Sequence, residues 1–177
     1  CAEAVGVRPI VGVELSHGGE RAVVLVRDAA GWHSLSRLVT RRHLDPRFAL
    51  DDALPRCAEG IIALTPSPRL LTALALDVGP DALYGEVVAH ADGRTLEAVV
   101  EAARRVGRPV VGTHRVMFHT PPRHRLHRVL LAIGQLKLLD EVVPGAPGRD
   151  GLPLDLVPEA ASLLPPAEAA RAFRDVP

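Results

Sequence analysis

The chain has 177 residues, 47% of them hydrophobic, with 21 Lys+Arg against 21 Asp+Glu. That length and apolar content suit one domain or a large part of one, and the balanced charge gives no electrostatic case for a nucleic-acid or membrane surface. Two cysteines, Cys1 and Cys57, make no disulfide framework and favour a reducing, cytoplasmic setting, and no apolar run approaches the roughly 20 residues of a membrane span.

In chain order, the opening Cys1-Ala2-Glu3-Ala4 reads as the last turn of a helix already under way, so a fragment lacking its N-terminal part is expected. A phrase then occurs twice, as Val5-Gly6-Val7-Arg8-Pro9-Ile10-Val11-Gly12 and as Val106-Gly107-Arg108-Pro109-Val110-Val111-Gly112. Gly tolerates the left-handed turn that ends a helix, Pro cannot continue one, and a β-branched run fits a strand. Both copies therefore predict a helix end, a tight turn and a buried parallel strand. The strands are expected at 8–15 and 109–113, with Ser16 to Glu20 as a turn. Residues 21–27 form a second strand, and the short connection allows a hairpin. A helix follows from Asp28 to about His43, with Leu35, Leu38 and Val39 as its stripe and Trp32 packed near its start.

Further strands are expected at 59–64 and 82–89, and helices at 50–54, at 70–76 and up to Val106. In the last of these, Leu96, Val99, Val100 and Ala103 fall at helical spacing. Pro121-Pro122 opens another helix, whose apolar face is Leu126, Val129, Leu130 and Ile133. Residues 143–166 are rich in Pro and Gly and read as loop, and 167–174 as a short final helix. Strands alternating with helices imply a mostly parallel sheet or barrel.

In such folds the loops after the strands carry the site, which singles out Glu14, His114 and Arg115. Four of the eight histidines, His114, His119, His124 and His127, are crowded into one stretch. A metal site needs neutral imidazoles and carboxylates that converge. The alternative for His124 and His127 is a solvated basic helix surface, which the charge density favours. His17 and His90 read as solvated loop residues, and His33 and His43 as helix surface. Glu86, beside Tyr84, is either an acid/base group or a structural pair. Arg115, Arg123, Arg125 and Arg128 form a basic patch that suits phosphates or an ordinary helix surface. There is no phosphate loop and no nucleophile elbow, and nothing near Cys57 lowers its pKa.

These stretches, taken in order, resemble a known family. Cys1 to Leu15, Val23 to Leu38, Glu59 to Leu64, Leu83-Tyr84-Gly85-Glu86 and Gly107 to Thr113 are similar to the PHP domain of bacterial DNA polymerase III alpha subunits. Val116 to Ile133 resembles the segment that leaves that domain, and Leu164 to Phe173 a helix beyond it. Phe118-His119 and the Arg-rich helix after it look more like the error-prone branch. The resemblance implies a partial (β/α)7 barrel of mostly parallel strands. Residues 1–140 would be a PHP fragment lacking its first strands, and 141–177 an exit segment leading toward the polymerase body. In family members that keep it, a metal cluster at the strand ends supports phosphoesterase or exonuclease chemistry.

Here the pattern departs. Glu14 stands where the family has an acidic ligand, but Arg21 replaces a His, Ser67 a Cys, and His114-Arg115-Val116-Met117 replaces Asn-Asp-x-His. A fixed guanidinium and a thioether suit a hard cation badly. The expectation is a structural scaffold with no catalytic residue, Glu14 and His114 being vestigial metal ligands, and with no cofactor of its own. Mg, DNA and dNTPs would belong to the parent polymerase. Partners would be the polymerase body and other replication or repair subunits, with no membrane. One alternative is an active Mn- or Zn-dependent phosphoesterase or 3′-5′ exonuclease using Glu14, His114 and His119. Another is a free-standing interaction module.

Overall fold

A computed structural model describes residues 2–149 and 152–174. The chain clusters into two compact units. One takes the chain up to Val87 together with Asp92–Val111, and the other takes Val88–Ala91 and the chain from Gly112 onward.

The first unit opens on a 3-10 turn, Glu3–Val5, that stops at Gly6 in the left-handed region (φ 72°). Strand β1 (Gly12–His17) and strand β2 (Glu20–Val26) then form an antiparallel hairpin running from Gly12 opposite Leu25 to His17 opposite Glu20. The turn between them is Gly18-Gly19, both at positive φ, the backbone that a two-residue hairpin demands. Helix α1 (Ala29–Leu44) is capped by Asp28, whose side chain accepts from the Gly31 N–H at 2.9 Å, and it buries Leu35 and Leu38. A short helix α2 (Leu50–Ala53) precedes strand β3 (Ile61–Thr65), which pairs antiparallel with β2. Helix α3 (Pro68–Leu74) is capped by Ser67 and buries Leu70, Leu71 and Leu74. Strand β4 (Leu83–Val88) lies parallel to β3. Helix α4 (Gly93–Arg105) buries Val99, Ala102 and Ala103 and ends at Gly107 (φ 63°), as the repeated phrase predicts. Strand β5 (Val110–Thr113) completes a sheet of order β1-β2-β3-β4-β5. The core of this unit gathers Leu38, Phe48, Leu54, Ile61, Leu70, Leu71, Leu74 and Leu83. Each such side chain contributes about 1.5–3 kcal/mol on burial.

The second unit has less to bury. Its long helix α5 (His124–Gln135) follows a 3-10 turn at Pro121–Arg123 and buries Ala132 alone. Ala132, Val142 and Leu154 form its small core cluster. Among the described residues of 143–165 there are only isolated bridges, in keeping with their Pro and Gly content, before helix α6 (Pro166–Ala172).

The expected parallel barrel is not what the chain builds. The sheet is open, and its long ladders are antiparallel. The physical reason lies in the connection lengths. A two-residue turn reverses the chain, whereas parallel neighbours need a crossover of a dozen or more residues. With β2 reversed beside it, β1 lies at the edge of the sheet with no parallel neighbour, so the first copy of the repeated phrase does not supply a buried parallel strand. Indeed β1 begins only at Gly12, is half exposed, and leaves Ile10 74% exposed. Other expectations shift with it. Trp32 points outward at 54% exposure. His17 closes β1 and packs edge-on against Phe48, with ring centres 5.6 Å apart. Of the α5 stripe expected from Leu126, Val129, Leu130 and Ile133, Val129 is half-buried, but Leu126, Leu130 and Ile133 face away from the unit's core, at 45%, 59% and 65% exposure.

Candidate functional site

Two groups of polar side chains stand out, one in each unit. In the first unit, Glu14 on β1 is two residues before Ser16, and Ser16 is paired opposite Arg21 on β2. Strand side chains alternate faces, so Glu14 and Arg21 are diagonal neighbours on one face. Arg21 Nη1 lies 2.8 Å from Glu14 Oε2, and its Nη2 is ion-paired with Glu86 Oε2 on β4. The Glu86 side chain is 2% exposed, Arg21 14% and Glu14 39%, so burial deepens along the chain of charges. The Thr65 hydroxyl donates to the Arg21 carbonyl at 2.8 Å and pins the backbone of β2 at that point.

Chemically this is a cation held between two carboxylates. The cation is a guanidinium, which stays protonated and has no open coordination position. It neutralises Glu86 but cannot activate water as a metal ion does. Glu86 is therefore a structural ion-pair partner, and the partner is Arg21 rather than Tyr84. Ser67, in the loop after β3, accepts from the Leu70 N–H at 3.1 Å as the cap of α3.

In the second unit, the His114 Nε2 lies 2.8 Å from the Ala160 carbonyl, so that nitrogen carries the proton and donates. Its Nδ1 is buried with no hydrogen-bond partner. The His90 ring stands edge-on to it, centres 5.7 Å apart, and His90 Nε2 is likewise buried and unpartnered. Burial, and then the neighbouring His114, push the His90 imidazole below its ordinary pKa. His90 is thus not the solvated loop residue expected. Phe118, His124 and His127 make a second ring cluster, with centres 5.9–6.3 Å apart. His127 is also pushed down, first by burial and then by His124. Two half-buried imidazoles here replace the solvated helix surface expected for this pair.

Arg115 adopts the left-handed backbone (φ 45°), uncommon for a non-glycine residue. Its guanidinium makes a bidentate pair with Asp155, at 2.7 and 2.6 Å. Such forks are among the stronger polar contacts. Met117 and His119 are both exposed in the following loop. The four arginines do not act as one patch. Arg115 is ion-paired and Arg128 donates to the Leu139 and Val142 carbonyls, which leaves Arg123 and Arg125 as the exposed pair.

Glu14 and His114 thus fall in different units, each with its own partner. Among the described residues, no three His, Cys, Asp or Glu side chains converge as a metal site would require. Sequence reasoning names Glu14, Arg21 and Glu86 separately but misses the link among them. Strand alternation was the available signal for Glu14 and Arg21. Asp155, in an irregular segment, carries no periodic signal at all.

No protein-family profile matches the chain. The chain is similar to an error-prone DNA polymerase of Aromatoleum aromaticum, with 36% identity over 132 residues. The match covers 65% of this chain but only 12% of that polymerase. No helix among the described residues is long and apolar enough to cross a membrane.

Proposed function

We propose that this chain is a non-catalytic segment of a DNA polymerase of the error-prone type, derived from a PHP domain whose metal site has decayed into a structural scaffold. The observation that carries the reading is Arg21. A fixed guanidinium sits between Glu14 and Glu86, and the one acidic position matching the family's ligand pattern is spent on an internal salt bridge. The likeness to the Aromatoleum enzyme supports the polymerase part. Glu14 and His114 are vestigial ligands on this reading. Residues 141–177 lead toward the polymerase body, the chain works in the cytoplasm, and Mg, DNA and dNTPs are handled elsewhere in the parent protein.

The test is metal content and nuclease activity. The purified chain is expected to hold less than about a tenth of an equivalent of Mn, Fe or Zn, and to leave a labelled 3′ end intact with Mn added. A full equivalent of metal with exonuclease activity lost in Glu14→Gln would overturn the scaffold in favour of an active phosphoesterase. The polymerase part is tested separately, since the same reading frame is expected to continue into a palm domain with its carboxylates.

A further inference from the structure

Arg128 on α5 stands between two cavities of the second unit. The first, about 490 Å³, is lined by His124, Val142, Pro144, Leu156 and Val157 besides Arg128 itself. The second, about 530 Å³, lies among Arg128, Leu138, Leu139 and Asp140. The walls of the first are almost wholly aliphatic. Its two polar side chains are already oriented by backbone carbonyls. His124 Nε2 lies 3.1 Å from the Val157 carbonyl, and Arg128 Nη2 donates to Leu139 and Val142 at 3.0 and 3.2 Å. These bonds use one nitrogen of the guanidinium, and among the described residues no carboxylate pairs with Arg128. Its Nε and Nη1 have no protein acceptor among the described residues.

We infer that this groove docks a short segment of a partner protein in which one acidic residue is flanked by aliphatic ones. Charge complementarity selects the occupant. A carboxylate matches the guanidinium fork, and aliphatic side chains match the exposed Val143, Pro144 and Pro158 and the half-buried Leu156. Asp140 on the second cavity disfavours a second acid there, which limits the segment to one. A nucleic-acid backbone fits less well, since phosphate binding gathers several cations and this groove offers one. Arginine beside a desolvated apolar wall is the composition in which binding energy concentrates. The inference does not depend on the polymerase reading.

The experiment uses the whole chain and a fluorescent acetyl-Val-Leu-Asp-Leu-Val-amide probe, with a second probe carrying Lys in place of Asp. Fluorescence anisotropy is expected to show the acidic probe binding at least about tenfold more tightly than the Lys probe, with the difference shrinking in high salt. Arg128→Met is expected to abolish that preference. Because this change also removes two bonds to the backbone, Val143→Asp provides a second route. Val143 is 46% exposed on the groove wall, so a carboxylate there repels the probe without disturbing the core. A loss of at least about tenfold with an unchanged unfolding curve is expected. Three outcomes overturn the inference: no acidic-probe binding up to about 1 mM, equal binding of both probes, or displacement of the probe by a single-stranded oligonucleotide.

Discussion

In the first unit the buried carboxylate of Glu86 meets a permanent cation, and the apolar side chains of α1, α3 and α4 turn inward. In the second, the half-buried polar groups include the imidazoles of His90 and His127, which burial holds below their ordinary pKa, and α5 turns Leu126, Leu130 and Ile133 outward. Unpartnered buried atoms in the first unit are second atoms of groups already bonded. Glu20 is paired with Arg69, and Arg108 donates to the Ala75 and Val78 carbonyls. The difference separates two ways of managing charge. A guanidinium keeps its charge and is costly to take away from a buried carboxylate, whereas an imidazole can gain or lose a proton.

The largest effect expected breaks the fixed pair. Arg21→Met leaves Glu86 buried at 2% exposure without the guanidinium, and half of a buried pair removed costs about 3–5 kcal/mol. Urea unfolding followed by Trp32 fluorescence would read it, since Trp32 sits on α1 in the same unit. Adding Glu86→Gln to that variant is expected to recover part of the loss, because a neutral amide costs less to bury than a carboxylate. A cost under about 1 kcal/mol for Arg21→Met would show that the triad is ornamental and remove the contrast between the units.

Next comes packing. Leu74 on α3 is fully buried, and Leu74→Ala is expected to cost about 2–5 kcal/mol through lost burial and a residual cavity. Leu130 on α5 is 59% exposed, and Leu130→Ser is expected to change stability by less than about 0.5 kcal/mol. If Leu130→Ser proved as damaging as Leu74→Ala, the stripe would be core and the comparison would fail.

How much of this was legible in the sequence follows from the range of the forces involved. Local signals held. Asp28 reads as the start of a helix, Gly107 as a stop, and α4 as an apolar period, since each depends on neighbours within a turn or two. The hairpin that the short connection at Ser16 to Glu20 allows is present, whereas the parallel direction expected of the first β-branched run is not, because such a run carries no arrow. The Gly18-Gly19 turn does carry one, and it sets β2 antiparallel to β1. The Arg21–Glu86 pair spans 65 positions and rests on sheet order, which no local pattern encodes. The outward stripe of α5 was visible as a stripe. Which way it faced depended on a small core built from Val142 and Leu154, in a segment whose composition reads only as loop.

The smallest effect expected concerns protons, and it sharpens the comparison most directly. His127 is held below its ordinary pKa by burial, by His124 and by Arg115, with the backbone and charge of Asp155 pulling the other way. A histidine whose folded pKa lies below its unfolded value binds fewer protons in the native state than in the unfolded chain. Stability then rises with pH where the unfolded chain holds the extra proton. The contribution of His127 is therefore fully present above the unfolded value, about 6.5, and is lost as the pH falls from there through the depressed folded value. Hydrogen exchange at amides of α5 is expected to speed up, relative to those of α3, between pH 7.5 and pH 5. His127→Gln is expected to flatten that drift, because an amide side chain has no proton to gain. Equal acid sensitivity in α3 and α5 would mean that the two units answer to the same protons, and the division drawn between fixed and adjustable charge would be lost.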